Sequence, residues 1–463
     1  MAAKGGKVLN RIRIFLACLV CRWSRRLLAL LGRGGTSLPG RLALRACPTL
    51  LEQLAQGVEV VAVTGTNGKT TTAEILRRMA QVQGIPCISN VSGANLQSGI
   101  VTAFAGDTGF LGKTRKKLAI IECDEAAFAR TAGALRPRVI VVTNLFRDQL
   151  DRYGELSTTR GKIADGIADS PGALLCLNAD CSLTATLAPT GAEARFFGLD
   201  CDLSRSATVY DAMRCPDCGR AYVYASRSFA HLGHWRCPGC GKTRPEPAVS
   251  VREIRPERSG STLEIELPGG TRRLRSSLES DHNAYNAAAA LCAATALGWD
   301  MDAACGALAT VHVPFGRTET IRLGGREAKL VLAKNPVGMD CALRWLAAAP
   351  DSYPVFCIND RLADGTDVSW LWDADFERFL AAGRRTEAGV YGLRRGDMHL
   401  RLLYAAEDRD KLDIREFTDV DQLRALIEQD PRPVSLIANY TAMCALRKQL
   451  THKAFRREGT DGA

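Results

Sequence analysis

Val58, Val60, Val61 and Val63 form a short apolar, β-branched run that ends at Thr64-Gly65-Thr66-Asn67-Gly68 and is followed by helix formers from Thr70 to Met79. A run this short, closed by glycines, predicts a buried strand, a tight turn and a helix. The signature recurs in Leu118-Ala-Ile-Ile-Glu and Val139-Ile-Val-Val-Thr-Asn, continuous apolar stretches with polar ends. That is the pattern of parallel strands covered on both faces. Ala287 to Leu297 reads as a buried, alanine-rich helix opened by Ser280-Asp-His-Asn-Ala-Tyr-Asn, with Asp281 placed to cap it. Further on, expected strands at 329–333, 353–358 and 434–438 alternate with expected helices at 339–348, 370–381 and 420–429, as βαβ units require. The pattern therefore predicts an α/β chain with three parts: a basic, amphipathic N-terminal arm (1–46), a central doubly wound domain (47–313) and a C-terminal Rossmann-like domain (314–463).

Composition changes this picture little; charge changes it locally. The chain has 463 residues and is 46% hydrophobic, enough for two or three domains. Its net charge of +11 comes from the first 50 residues, which hold ten Lys and Arg and no acid, leaving 51 basic against 50 acidic residues elsewhere. A near-neutral body argues against nucleic acid as a partner. Between Ile12 and Leu31 the arginines are interleaved with apolar residues, which fits either an amphipathic helix at an anionic membrane face or a helix packed on the body. The longest uncharged run there, Ile14 to Cys21, is far short of the ~20 residues a spanning helix needs. Arg22, Arg25 and Arg26 follow it where a signal-peptide cleavage site would lie. A cytoplasmic location at the inner membrane face is the expectation.

Most of the seventeen cysteines sit singly in apolar runs, as Cys176, Cys292, Cys341 and Cys357 do, and read as small buried hydrophobes. The exception is Cys215-Pro-Asp-Cys218-Gly and Cys237-Pro-Gly-Cys240-Gly, two knuckles 18 residues apart, which predict a structural zinc ribbon inserted at about 205–250. His231 and His234 lie between them and read as ordinary loop residues once four thiols are available.

The turn after Val63 carries the candidate chemistry. In a phosphate-binding loop, Lys69 contacts the β- and γ-phosphates of ATP, the Thr70 hydroxyl binds magnesium, and backbone N–H groups across Thr64, Gly65, Thr66, Asn67, Gly68 and Thr71 cradle the rest. Val63 stands where the usual G-x-x-x-x-G-K-[ST] pattern has glycine, so this is a tighter variant. Glu122, at the end of an expected strand, is a natural second magnesium ligand, and Asn144 ends the next strand. Asp148 and Asp151 in the loop beyond read either as site residues or as surface caps. His282, Asn283 and Asn286 are placed to touch a nucleotide, and Arg317 suits a γ-phosphate.

The order T-G-T-N-G-K-T-T, a strand ending in Glu122, V-T-N-x-x-x-D-x-L-D, H-N-x-x-N-A and G-R-x-E resembles the Mur ligases and the related folylpolyglutamate synthases. With the four-cysteine insert, Gly32-Arg-Gly-Gly-Thr-Ser-Leu-Pro-Gly and Asp364-Gly-Thr-Asp-Val-Ser-Trp-Leu-Trp-Asp, the chain is more narrowly similar to MurT-type ligase subunits of lipid II isoglutaminyl synthase, from about Gly32 to Gln449. The resemblance implies ATP-dependent amidation of the D-glutamate α-carboxylate of the lipid II stem peptide. Lys69, Thr70 and Glu122 would carry Mg-ATP, and Asn283, Asn286 and Arg317 would complete the nucleotide site. It also implies a separate GatD-like glutaminase, since the chain has no G-x-C-x-G elbow and no H-x-E. A C-terminal Asp would complete that partner's Cys-His triad, Asp367 first, then Asp364 and Asp360; the bland alternative is a loop of turn-forming acids.

Departures from the family pattern are Gln149 where His is usual, and Lys334-Asn335 where an acid and His are usual. Lys162 lies near the family's carbamylated lysine without a fixed register. The ~50 residues before the loop are too few for the uridine-nucleotide domain of soluble-precursor ligases. Rival expectations are a folylpolyglutamate synthase-like amino-acid ligase, active on a free amino acid without a glutaminase, and a zinc-ribbon P-loop ATPase that binds nucleic acid through its basic arm.

Overall fold

The computed structural model describes residues 2–31, 35–90, 94–109, 113–147, 155–201, 211–257, 260–278, 281–311, 319–383 and 386–451. Two sheets organise these residues. The first contains β1 (Glu59–Thr64), β2 (Cys87–Ser89), β3 (Leu118–Glu122), β4 (Val139–Val142), β5 (Leu174–Asn178) and β6 (Ala194–Leu199). A two-stranded hairpin, β7 (Val223–Phe229) and β8 (Leu232–Arg236), intervenes before β9 (Val249–Pro256), β10 (Ser261–Leu267) and β11 (Gly270–Ser276) return to the sheet. The spatial order is β11-β10-β9-β6-β5-β4-β1-β3-β2, parallel from β2 to β9 and antiparallel at the β9-β10-β11 edge. Val60, Val61, Ala62 and Val63 are all fully buried, as expected for a central parallel strand.

The second sheet holds β12 (Glu319–Leu323), β13 (Arg326–Leu332), β14 (Tyr353–Cys357), β15 (Glu387–Tyr391), β16 (Asp413–Phe417) and β17 (Val434–Ala438) in the order β12-β13-β17-β14-β15-β16. Side-chain alternation divides its core in two: Val331, Phe356, Val390 and Ile437 join one cluster, Leu330, Val355, Cys357 and Leu436 the other. Helices cover both faces.

Sequence expectation and structure part at three places. The expected helix over 370–381 is a 3-10 turn, Ser369–Asp373, then a break, then a helix at Phe376–Gly383. The buried Arg401 takes the Leu371 and Ala374 carbonyls at 3.0 and 2.7 Å, and Asp375 Oδ1 accepts the Arg378 N–H at 3.1 Å, so a new helix starts there. The insert expected at about 205–250 ends short of 250, because Val249 and Ser250 already pair with β6. The N-terminal segment forms α1 (Ala2–Leu30) and α2 (Ser37–Ala46), and both pack on α5 (Gln97–Asp107). Ala17, Cys18 and Cys21 are buried in the main core, so the helix packs on the body, while an apolar stripe on its far side stays exposed.

Candidate active site

β1 lies between β3 and β4, so the chain leaves the carboxyl end of β1 at a switch in strand order, where open α/β sheets gather their ligand loops. Gly65 (φ +115°) and Gly68 (φ +89°) turn the backbone from β1 into α4 (Lys69–Val82). A Cβ at Gly68 would collide with the Asn286 carboxamide, so the first turn of α4 sits tight against the helix Asp281–Leu297. Thr72 Oγ1 donates to Asn286 Oδ1 at 3.4 Å, and Asn286 Nδ2 donates to Asn283 Oδ1 at 3.0 Å. The two predicted asparagines thus border the loop.

Not every loop N–H is free for a phosphate. Thr66 N donates to Asn144 O at 2.8 Å and Asn67 N to Asn144 Oδ1 at 2.9 Å, while Asn144 Nδ2 returns a bond to Asn67 O at 3.1 Å. Thr64 is a fully buried strand residue whose carbonyl accepts the Thr143 N–H at 3.0 Å. The donors left to face an anion are those of the first turn of α4, which have no intrahelical partner. The buried Thr64 Oγ1, Asn67 Nδ2 and Thr71 Oγ1 lack a hydrogen-bond partner among the described residues. Such orphaned donors beside a helix N-terminus fit an absent polar ligand.

Lys69 folds back over the loop. Its ammonium donates to the carbonyls of Gly65 and Thr66 and to Glu125 Oε1 at 3.0 Å. Burial opposes its charge, but Glu125 first, then Asp124 and Glu122, outweigh this and hold its pKa above the ordinary lysine value. Glu125 is one of the carboxylates that close the expected strand from Leu118, given no role of its own there; Asp124 before it is an N-cap whose side chain accepts from Ala126 N and Ala127 N and aims the next turn at the loop. Thr70 Oγ1 donates to Glu122 Oε2 at 2.9 Å, so the two predicted magnesium ligands already meet. Asn95 Nδ2 reaches Glu122 Oε1 at 3.1 Å, and Asn90 holds the Glu122 backbone through both its N–H (2.9 Å) and its C=O (2.8 Å). Neither asparagine carried a sequence signal, since each acts on a residue about 30 positions away. Arg317, Asp148, Gln149 and Asp151 fall outside the described residues. Lys162 is half-buried in the helix Leu156–Ala168.

Among the described residues, the segment after β13 reaches the loop through Asn335. Asn335, one of the departures from the family pattern, caps the helix Pro336–Ala347 through its Oδ1 and donates from Nδ2 to Asn67 Oδ1 at 3.2 Å. Nearby, Arg147 Nη1 lies 3.5 Å from Asp373 Oδ2 and its Nε 2.6 Å from Asp211 Oδ1. The three C-terminal aspartates differ in their commitments. Asp364 is buried, and its carboxylate accepts the Thr441 N–H at 2.8 Å and the Thr441 hydroxyl; burial raises its pKa. Asp360 pairs with Arg394 at 3.2 Å. Asp367 is half-exposed, its Oδ1 accepts Ser369 N at 2.8 Å, and it makes no ion pair among the described residues.

The four predicted cysteine sulfurs lie within 4.8 Å of one another, with Cys215–Cys240 at 3.7 Å and Cys218–Cys237 at 3.3 Å. A tetrahedral site with bonds of about 2.3 Å has edges of roughly 3.8 Å, so the thiol set fits zinc. Gly219 (φ +70°) and Gly241 (φ +75°) close the knuckles by donating to Cys215 O (2.9 Å) and Cys237 O (3.1 Å). The Cys240 backbone N–H is the main cause pulling the Cys237 thiol down to about 6. His231, in the turn between β7 and β8, is a buried ring against Phe146 (4.6 Å), which burial pushes down to about 4, while His234 is not a loop residue but lies in β8, 3.1 Å from Asp200.

A glycine turn at a sheet switch point, a buried lysine and a paired threonine and glutamate define a nucleotide-dependent α/β enzyme. The comparisons narrow this. A Mur ligase middle domain model matches residues 63–209, and a MurT ligase C-terminal model matches residues 332–443. The chain is 35% identical over 454 residues, 96% of its length and 99% of the relative's, to the MurT subunit of the glutamine-hydrolysing lipid II isoglutaminyl synthase of Streptococcus pneumoniae. It is 30% identical over 446 residues, 95% and 98% of the two lengths, to the protein of that name from Staphylococcus aureus. Among solved structures, a pseudomurein peptide ligase type C from Methanothermus fervidus matches with a TM-score of 0.65 at 20% identity, covering 87% of this chain and 80% of that one. MurF from Acinetobacter baumannii matches with a TM-score of 0.63 at 17% identity, over 89% and 81%. The chain belongs to the Mur ligase family, within its MurT group, and is an ATP-dependent ligase subunit of peptidoglycan lipid II amidation.

Proposed function

We propose that this chain amidates the α-carboxylate of D-glutamate in the lipid II stem peptide, giving D-isoglutamine through an acyl phosphate, with ammonia from a GatD-like glutaminase. The observation that carries the reading is the loop itself: Lys69, Thr70 and Glu122 converge at the N-terminus of α4 beside orphaned donors, in a chain similar end to end to MurT subunits. A carboxylate oxygen of the substrate attacks the γ-phosphorus of ATP and ADP leaves. Lys69, Arg317 and the α4 N-terminus offset the phosphoryl charge, and Asn283 and Asn286 border the nucleotide. Thr70 and Glu122 would hold magnesium, which would supply further positive charge beside the phosphates. Ammonia then attacks the acyl carbon, and phosphate departs.

With domains at 47–313 and 314–463, this chemistry would lie where the two meet, which the Asn335–Asn67 hydrogen bond supports. The four thiolates would hold a structural zinc with no open position. Asp367 is the aspartate offered to the partner's triad, because Asp364 is buried on Thr441 and Asp360 is paired with Arg394. A lipid-linked acceptor places the complex at the cytoplasmic membrane face. The test is ATP- and glutamine-dependent amidation of lipid II, with and without the glutaminase, read by stem-peptide mass. Product only with the partner or free ammonium, and none from Lys69→Ala, supports the reading; no product from any nitrogen source refutes it and returns the amino-acid ligase to the front.

A further inference from the structure

We infer that the outward face of α1 is a docking surface for an anionic bilayer. The rotation of α1 is fixed from inside: Ala17, Cys18 and Cys21 are buried, and Arg22 Nε donates to Ala105 O at 3.2 Å while its guanidinium also reaches Thr108. With that face seated, Ile12, Leu16, Leu19, Trp23, Leu27 and Leu30 point away from the body, Trp23 at 62% and Leu30 at 85% exposure. Their spacing of three and four residues puts them on one side of the helix, a stripe roughly 27 Å long at a rise of about 1.5 Å per residue. At about 100° per residue, Arg13 and Arg26 border the stripe on its two sides. Both are exposed, and the Arg26 guanidinium lies 5.9 Å from the Trp23 ring.

A stripe this long is not ordinary surface. Charge selects its occupant. The first 50 residues contain ten cations and no acid, so a second copy laid against the stripe would bring like charges together, whereas phospholipid headgroups complement them. Trp beside Arg at the rim of an apolar face is the composition of a helix lying in a bilayer interface. No described helix is long and apolar enough to cross a membrane, so the face lies on the bilayer. Because α1 packs on α2 and α5, it would orient the body relative to the membrane. The inference rests on the lipid-substrate reading for its purpose.

The test is co-sedimentation of the full chain with vesicles of phosphatidylcholine alone or with phosphatidylglycerol, none containing lipid II. Binding is expected only with phosphatidylglycerol and should weaken at high salt. Trp23→Ala with Leu27→Ser should lower affinity at least about tenfold, and Arg13→Ser with Arg26→Ser about thirtyfold, with melting temperature and ATP binding kept as controls of folding. Equal binding by all variants, or no binding to either vesicle, overturns the inference. So does a dimer, seen by sedimentation velocity, that the apolar double variant dissociates, since that assigns the stripe to a second copy. Vesicle binding in a protein that amidates nothing would leave this inference standing and remove the function proposed above.

Discussion

The Lys69–Glu125 pair gives a prediction whose size depends on nucleotide. At 3.0 Å and an effective dielectric of about 20, the gross attraction is roughly 5.5 kcal/mol. Desolvation cancels much of this in forming the pair, but Glu125→Gln leaves a buried ammonium with less compensation, which costs about 3–5 kcal/mol. The low end applies, because Lys69 keeps the Gly65 and Thr66 carbonyls and the fields of Asp124 and Glu122. Urea unfolding without nucleotide should show a loss of about 3 kcal/mol. If Lys69 moves from Glu125 to the phosphates when Mg-ATP binds, the saturated variant should lose only about half of that. By linkage, the recovered ~1.4 kcal/mol appears as roughly tenfold tighter ATP binding by Glu125→Gln in calorimetry. An equal loss with and without nucleotide, together with unchanged ATP affinity, would refute the exchange of partners.

Three other outcomes follow from single sites. Asp340, half-buried in the helix Pro336–Ala347, has its pKa pushed up to about 6 by desolvation, partly countered by the Asp375 N–H and Arg344. A carboxyl raised in the folded state favours folding as pH falls from 6 towards 4 and costs stability above 6, so Asp340→Asn should stabilise the protein at pH 8 by about 1–3 kcal/mol and not at pH 4, read by urea unfolding. Asp367→Ala should abolish glutamine-dependent amidation while keeping the ammonium-dependent reaction and the fold, whereas Asp364→Ala should cost about 2–3 kcal/mol of stability by stranding the Thr441 donors. Metal analysis should find one zinc per chain, and Cys215→Ser should lose it and expose 211–244 to protease while the melting of the main sheet persists.

The sequence by itself determined what is local. The β1 strand, its two positive-φ glycines and α4 come from one continuous run, 59–82, and the cysteine knuckles repeat a five-residue pattern, so neither needs the rest of the chain to be read. The apolar runs of β3, β4 and β17 marked buried parallel strands for the same reason. Tertiary structure decided who meets whom. Glu125 faces Lys69 across 56 residues and Asn335 reaches Asn67 across 268, contacts that follow only from strand order. A buried arginine 30 residues away broke the helix expected at 370–381 by taking its carbonyls. Of three aspartates in one loop, Thr441 claimed Asp364 and Arg394 claimed Asp360. In α1, the interleaving of apolar and basic residues was legible, but which stripe faces the body depended on α5. Local pattern fixes backbone preference, while burial and partner choice depend on which distant segment fills the space opposite.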